Sequence, residues 1–174
     1  MNGTKKSVLF ICSFDLDEPF SEVFEAAGSL AEQGFTLYAS GRYSRAGLSP
    51  ETVPNAVLLG YVDRATYDAY LQNVDVVLDL TTWEDCLVCG AYEAMAARKP
   101  CVLSRTPALT ELFTHGTVFS SHAPHDIAAA VVAAYERREP LRAEIGEWIA
   151  RHERATRERV AALRSAVHLP PARA

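Results

Sequence analysis

The chain has 174 residues, enough for one domain with a proper hydrophobic core. Its net charge of −5 excludes the basic excess that a nucleic-acid binder needs to neutralise phosphates, and no apolar run is long enough to span a membrane. Apolar and charged fractions are ordinary for a globular protein, and neither internal repeats nor low-complexity tracts occur. The apolar segment after the Lys5-Lys6 start is too short for a secretion signal. Four cysteines in a chain of this length make no disulfide framework, which points to a reducing cytoplasm.

Ser7 to Cys12 reads as a first buried strand, followed by an acidic loop from Ser13 to Glu18. Pro19 suits the first turn of a helix whose apolar face is Phe20, Val23, Phe24, Ala27, Leu30 and Ala31, closed by Gly34. Phe35 to Ala39 forms the second strand, and Gly41 to Pro54 is polar and punctuated, hence a long loop. Ala56 to Leu59 is a third strand that turns at Gly60-Tyr61-Val62. Asp63 is placed to cap a helix through Asn73.

A central stretch follows in which the period changes twice. Val74 to Leu80 is a short apolar, β-branched run, the mark of a strand buried on both faces. After Thr81 to Asp85, residues Leu87, Ala91, Ala94 and Met95 fall at helical spacing. Lys99-Pro100 stops that helix, and Cys101 to Leu103 starts another strand. A short helix near Pro107–Phe113, a strand at Thr117–Phe119, and helices over Asp126–Glu136 and Leu141–Val167 complete the domain. Residues 1–168 are read as that domain, and 169–174 as a frayed tail. The alternation predicts an α/β, Rossmann-like three-layer domain with a parallel sheet of about six strands. Ligands of such sheets bind at the C-terminal ends of the strands, where this chain places carboxylates.

Glu93-Ala94-Met95-Ala96-Ala97, then Lys99-Pro100 and Ser104, resembles the signature of retaining GT-B glycosyltransferases of the glycogen-synthase-like group. Seven residues separate Glu93 from Asp85, the spacing of the two acids in that family. Leu59-Gly60-Tyr61-Val62, Val76 to Leu80 and Glu111 fall in the family's order, so the resemblance covers most of the chain. It implies the C-terminal, donor-binding half of such an enzyme, which moves a sugar from a nucleotide diphosphate sugar to an acceptor. An N-terminal acceptor domain or partner subunit would then be missing, and the isolated chain would be inactive alone.

Under the resemblance, Glu93 takes both ribose hydroxyls and Asp85 contacts the donor sugar, with Glu84 beside it as a solvated loop charge. A glutamate early in a helix also serves simply to complement the dipole, and that alternative stays open. The backbone N–H groups from Leu87, Val88, Cys89 and Gly90 are expected to face a phosphate. Tyr61 borders the base or closes the core, and Glu111 resembles a more distant acid of the site. The family's Arg and Lys after the first strand have no counterpart in Cys12 to Glu18, leaving Arg42 and Arg105 as substitutes. No metal and no cofactor beyond the nucleotide sugar are expected, since His115, His122 and His125 lie outside ligand spacing and Asp15-Leu16-Asp17 reads as a chance DxD. Two other readings remain: a nucleotide-sugar-binding module without catalysis, and a thiol oxidoreductase using Cys86 and Cys89.

Overall fold

A computed structural model describes residues 5–167; the segment read as a frayed tail, 169–174, lies outside them. Six strands form one parallel sheet in the order β3-β2-β1-β4-β5-β6. They are β1 (Lys6–Ile11), β2 (Phe35–Ser40), β3 (Ala56–Gly60), β4 (Val76–Asp79), β5 (Cys101–Ser104) and β6 (Thr117–Ser120). The helices are α1 (Phe20–Glu32), α2 (Arg64–Asn73), α3 (Cys89–Ala96), α4 (Pro107–Leu112), α5 (Pro124–Glu136) and α6 (Arg138–Ala166). The order reverses between β1 and β4, which opens a crevice at their C-terminal ends. No helix among the described residues is long and apolar enough to cross a membrane.

Strand alternation divides the central residues between two cores. On one face Val8, Phe10, Val76, Leu78 and Val102 pack against Val23, Ala27 and Leu30 of α1 and Ile127 and Val131 of α5. On the other, Leu9, Val77, Cys101 and Leu103 pack against Leu71, Ala94, Met95, Leu109 and Trp148. Burial on both faces is why β1, β4 and β5 read as unbroken apolar runs. Cys12 and Cys101 are buried among them as small apolar side chains.

The structure moves several element ends by a residue or two. Pro19 stands just outside α1 as its N-cap, and the Gly41–Pro54 loop contains one 3-10 turn, Tyr43–Ala46. Asp63 caps α2 as expected, its carboxylate accepting the Thr66 N–H at 2.8 Å. Helix α6 begins at Arg138, three residues before the expected start, because Pro140 sits in the first turn where no N–H is needed. Lys99 is buried and donates to the Val74 carbonyl at 2.9 Å, joining the end of α3 to the start of β4.

One glycine sets the approach of the loops over the crevice. Gly41, after β2, has φ +106°, and a Cβ there would run into the Cys12 carbonyl. Its N–H donates to the Gly60 carbonyl at 3.0 Å, so the ends of β1, β2 and β3 converge on this residue. Gly41→Ala combines a disfavoured φ with a backbone clash and is expected to destabilise the domain by at least about 2 kcal/mol, read from a urea melt. A loss under about 0.5 kcal/mol would show that the loop relaxes freely.

Candidate functional site

A cavity of about 600 Å³ opens at the C-terminal ends of β1, β2 and β3. Cys12 and Ser13 form its floor, Arg42 and Arg45 one wall, Tyr61, Arg64 and Tyr67 a second, and Glu93 closes it from α3. Another groove, of about 320 Å³, lies at the opposite edge of the sheet beside Lys6, Tyr38 and Tyr70. It carries none of the acids or backbone termini that the switch point gathers, so the larger cavity is the candidate site.

Glu93 projects into the cavity with its side chain one-third exposed (33%). Its Oε2 accepts a short hydrogen bond from the Tyr67 hydroxyl, and Arg64 Nη1 lies 3.5 Å from Oε1. Burial and then the Glu93 carboxylate push the Tyr67 phenol well above its usual pKa, so it remains a donor. Arg64 also pairs with Asp68, Nε to Oδ2 at 2.9 Å, which holds its guanidinium charged. Arg42 lies over the exposed Tyr61 ring, 5.6 Å from the centroid. The carboxylate is therefore oriented by neighbours on α2 rather than serving only its own helix's dipole.

The expected site residues divide. Glu93, Tyr61 and Arg42 line the cavity together. Asp85 and Leu87 line a separate, shallow depression running from Thr82 to Leu87. Val88 is the residue before α3, Cys89 its exposed first residue, and Gly90 is buried at its second position. Arg105 is exposed with Nη2 donating to the Phe119 carbonyl at 3.1 Å, and Glu111 is exposed on α4; neither lines the cavity. Cys86 and Cys89 are free thiols. Among the described residues no group of three or more His, Cys, Asp or Glu could hold a metal.

The structure adds residues that periodicity did not single out. Asp79 ends β4 and is buried, with only 5% exposure, directly under the start of α3. The Gly90 N–H donates to its carboxyl group, and a Cβ at Gly90 would collide with that group and with Ile11. Burial, then the charges of Glu18, Glu93 and Asp17, hold the Asp79 pKa well above the usual carboxylate range, and the Gly90 N–H opposes them only in part.

Glu18 does the corresponding work after β1. Its carboxylate accepts the backbone N–H groups of Ser13 (2.9 Å) and Asp15 (2.8 Å) and the Ser13 hydroxyl (3.0 Å). Phe14, between those residues, takes φ 64°, which turns successive N–H groups into one concave nest. The Cys12 thiol also lies 3.4 Å from Glu18, and burial raises its pKa, so it stays protonated on the cavity floor.

Both loops at the crevice are tied to each other. The Thr81 hydroxyl donates to Asp17 Oδ2 at 2.9 Å, and the Thr82 N–H to the Asp17 carbonyl at 2.7 Å. Ser104 accepts the Thr81 N–H at 2.9 Å and lies 2.9 Å from His122 Nε2. Ser104 is fully buried, so this Ser–His pair supports the backbone and is closed to substrate.

The profile of the family described as glycosyl transferases group 1 matches residues 5–137, most of the chain. The chain belongs to this family. No curated protein sequence matches it significantly. Among solved structures, a glycosyltransferase from Rickettsia africae superimposes with TM-score 0.77 at 11% identity, over 95% of this chain and 48% of the other. HepE from Anabaena, solved in complex with UDP and glucose, gives TM-score 0.72 at 14% identity over 92% of this chain and 48% of its own. The catalytic domain of cholesterol-alpha-glucosyltransferase from Helicobacter pylori gives TM-score 0.66 at 14% identity, covering 83% and 95% respectively. At these identities the likeness is one of fold. This group 1 chain spans less than half the length of the Rickettsia and Anabaena proteins.

Asp79 makes a pH dependence measurable in this domain. Its folded-state pKa is raised, so the unfolded chain releases the proton more readily, and stability is lost as pH rises from about 3.9 toward the folded value. Asp79→Asn keeps an acceptor for the Gly90 N–H without that charge penalty. The variant is expected to be more stable than the natural domain at pH 8 and to flatten the fall in stability between pH 5 and pH 8 in urea melts. Equal slopes for both proteins would show that Asp79 ionises freely.

Proposed function

We propose that this domain is the donor-binding half of a glycosyltransferase, holding a nucleotide diphosphate sugar for transfer to an acceptor. The observation that carries the reading is Glu93, set in the family's small-residue helix and presented to a 600 Å³ cavity by Tyr67 and Arg64. A carboxylate fixed at the mouth of a parallel-sheet crevice suits two vicinal ribose hydroxyls, each donating a charge-assisted hydrogen bond. Tyr61, largely exposed beside Arg42, offers a face for the base, and Asp85 in the neighbouring depression faces the sugar. Catalysis in such a site rests on positioning and on stabilising the departing diphosphate.

The partner in this reading is an acceptor domain or subunit that closes the crevice. Leu16, Tyr61, Trp83 and Leu87 are all exposed on loops at the C-terminal edge of the sheet, where the second wall would sit. The four free thiols suit a reducing cytoplasm. No cofactor beyond the nucleotide sugar enters the reading. One observation favours a second reading, a binding module without transfer: the backbone donors after β1, and the Gly90 N–H at α3, are occupied by the chain's own carboxyl groups. Sugar transfer by the protein together with its acceptor domain would separate the two.

Glu93→Gln keeps the shape and the Tyr67 contact but removes the charge. Affinity for the preferred nucleoside diphosphate is expected to fall by about 1–3 kcal/mol, roughly a five- to 150-fold rise in Kd by calorimetry. The thermal midpoint should move by less than about 2 °C, since the group is part-exposed at an open crevice. Unchanged affinity with an unchanged melt would make Glu93 a structural acid and remove the basis of this reading.

A further inference from the structure

We propose that Arg42, Arg45 and Arg64 together hold the ligand's phosphate, so that its charge is met from the loop after β2 and the start of α2. The inference rests on the nucleotide reading above and adds which residues hold the anion.

The nest after β1 is filled from within, and one N–H at the start of α3 is engaged by a carboxyl group of the chain. In the loop after β1, Glu18 takes the N–H groups of Ser13 and Asp15, the nest that would otherwise face an anion. At the start of α3, the Asp79 carboxyl takes the Gly90 N–H from below. An entering phosphate would meet Glu18 as a like charge and find the Gly90 N–H already engaged.

The two walls above the cavity floor have the required sign. Three guanidinium groups, Arg42, Arg45 and Arg64, line the cavity with Glu93 as the one acid, although the chain as a whole carries −5. Guanidinium forks match phosphoryl oxygens in pairs, which a single ammonium does not. Their present partners are easily exchanged. Arg45 lies 3.9 Å from Asp15 with both side chains more than half exposed, and Arg42 rests on an aromatic face.

Arg64 is the most telling of the three. It is the first residue of α2, where the helix dipole disfavours a cation, and Asp68 lies C-terminal to it, the weaker order for an ion pair. Its exposed pair with Asp68 and its place over the Tyr67 ring therefore add little to helix stability. Its position gives a stronger reason for an arginine here: Nη1 lies 3.5 Å from Glu93 Oε1, beside the carboxylate that the nucleotide reading assigns to the ribose.

The test is calorimetry with UDP, GDP and ADP, the matching nucleosides, and inorganic pyrophosphate. The proteins are the natural chain, Arg64→Gln, Arg64→Lys and the double variant Arg42→Gln/Arg45→Gln. Each Gln variant is expected to weaken the best-bound diphosphate about ten-fold or more while changing nucleoside affinity less than about two-fold. Arg64→Lys should recover part of the loss, and all variants should melt like the natural chain because these side chains are exposed. Pyrophosphate binding that needs the arginines, with no preference for any nucleotide, would uphold the anion site and count against the nucleotide reading. Diphosphate affinity unchanged in the Gln variants would overturn the inference and leave that reading intact. Equal losses for nucleoside and diphosphate would also overturn it, making the arginines contacts to the base. So would failure of the natural chain to bind any phosphate-bearing probe.

Discussion

The contact on which the site depends is that between the Asp79 carboxyl and the Gly90 backbone. It joins the C-terminal end of β4 to the start of α3 so closely that no side chain fits at position 90. Because α3 is seated there, Glu93 emerges one turn later at the mouth of the cavity and meets Tyr67 and Arg64 of α2. The cost of burying a carboxyl is met partly by its staying protonated and partly by the Gly90 N–H. A cluster of acids at one sheet edge (Asp17, Glu18, Asp79 and Glu93) holds together because burial disfavours charge on its most buried member and Glu18 is engaged by backbone donors.

That arrangement redistributes polarity around the crevice. The loops after β1 and β4 are internally satisfied: Glu18 closes the first on itself, and Asp17 ties it to Thr81 and Thr82 of the second. These loops are rigid walls rather than open donors. The loop after β2, brought over the cavity by Gly41, and the start of α2 carry the exposed arginines. The cavity is thereby basic on one side and acidic on the other, which gives it a direction.

Membership of the glycosyl transferases group 1 family and the Rossmann-like topology agree with the central signature, yet the chain departs from that signature where phosphates are concerned. Cys12 to Glu18 contains no basic residue, and the segment before Gly90 contains no glycine. The structure turns those absences into a physical account, since each segment is stabilised by an acid of this chain instead. Three apolar side chains, Leu16, Trp83 and Leu87, are exposed on the same edge.

The sequence by itself determined the layers, the parallel strands and the position of the crevice. Unbroken apolar runs at β1, β4 and β5 and helical periods between them are local signals that survive without any tertiary information. It also singled out Glu93, which lines the cavity, because the residues around it form a contiguous motif, and it determined the Asp63 cap, because capping acts within one turn. What tertiary structure decided were the partners. Asp79 reads as one polar letter in a strand until α3 is laid across it, and Glu18 reads as a loop charge until Phe14 turns its neighbours' N–H groups inward. Arg45 and Arg64 carry no local signal that links them to Glu93, whereas Arg105 sits at a strand end but faces the β6 side. Periodicity specifies which face a side chain takes; only the crossing of separate elements specifies what it meets there.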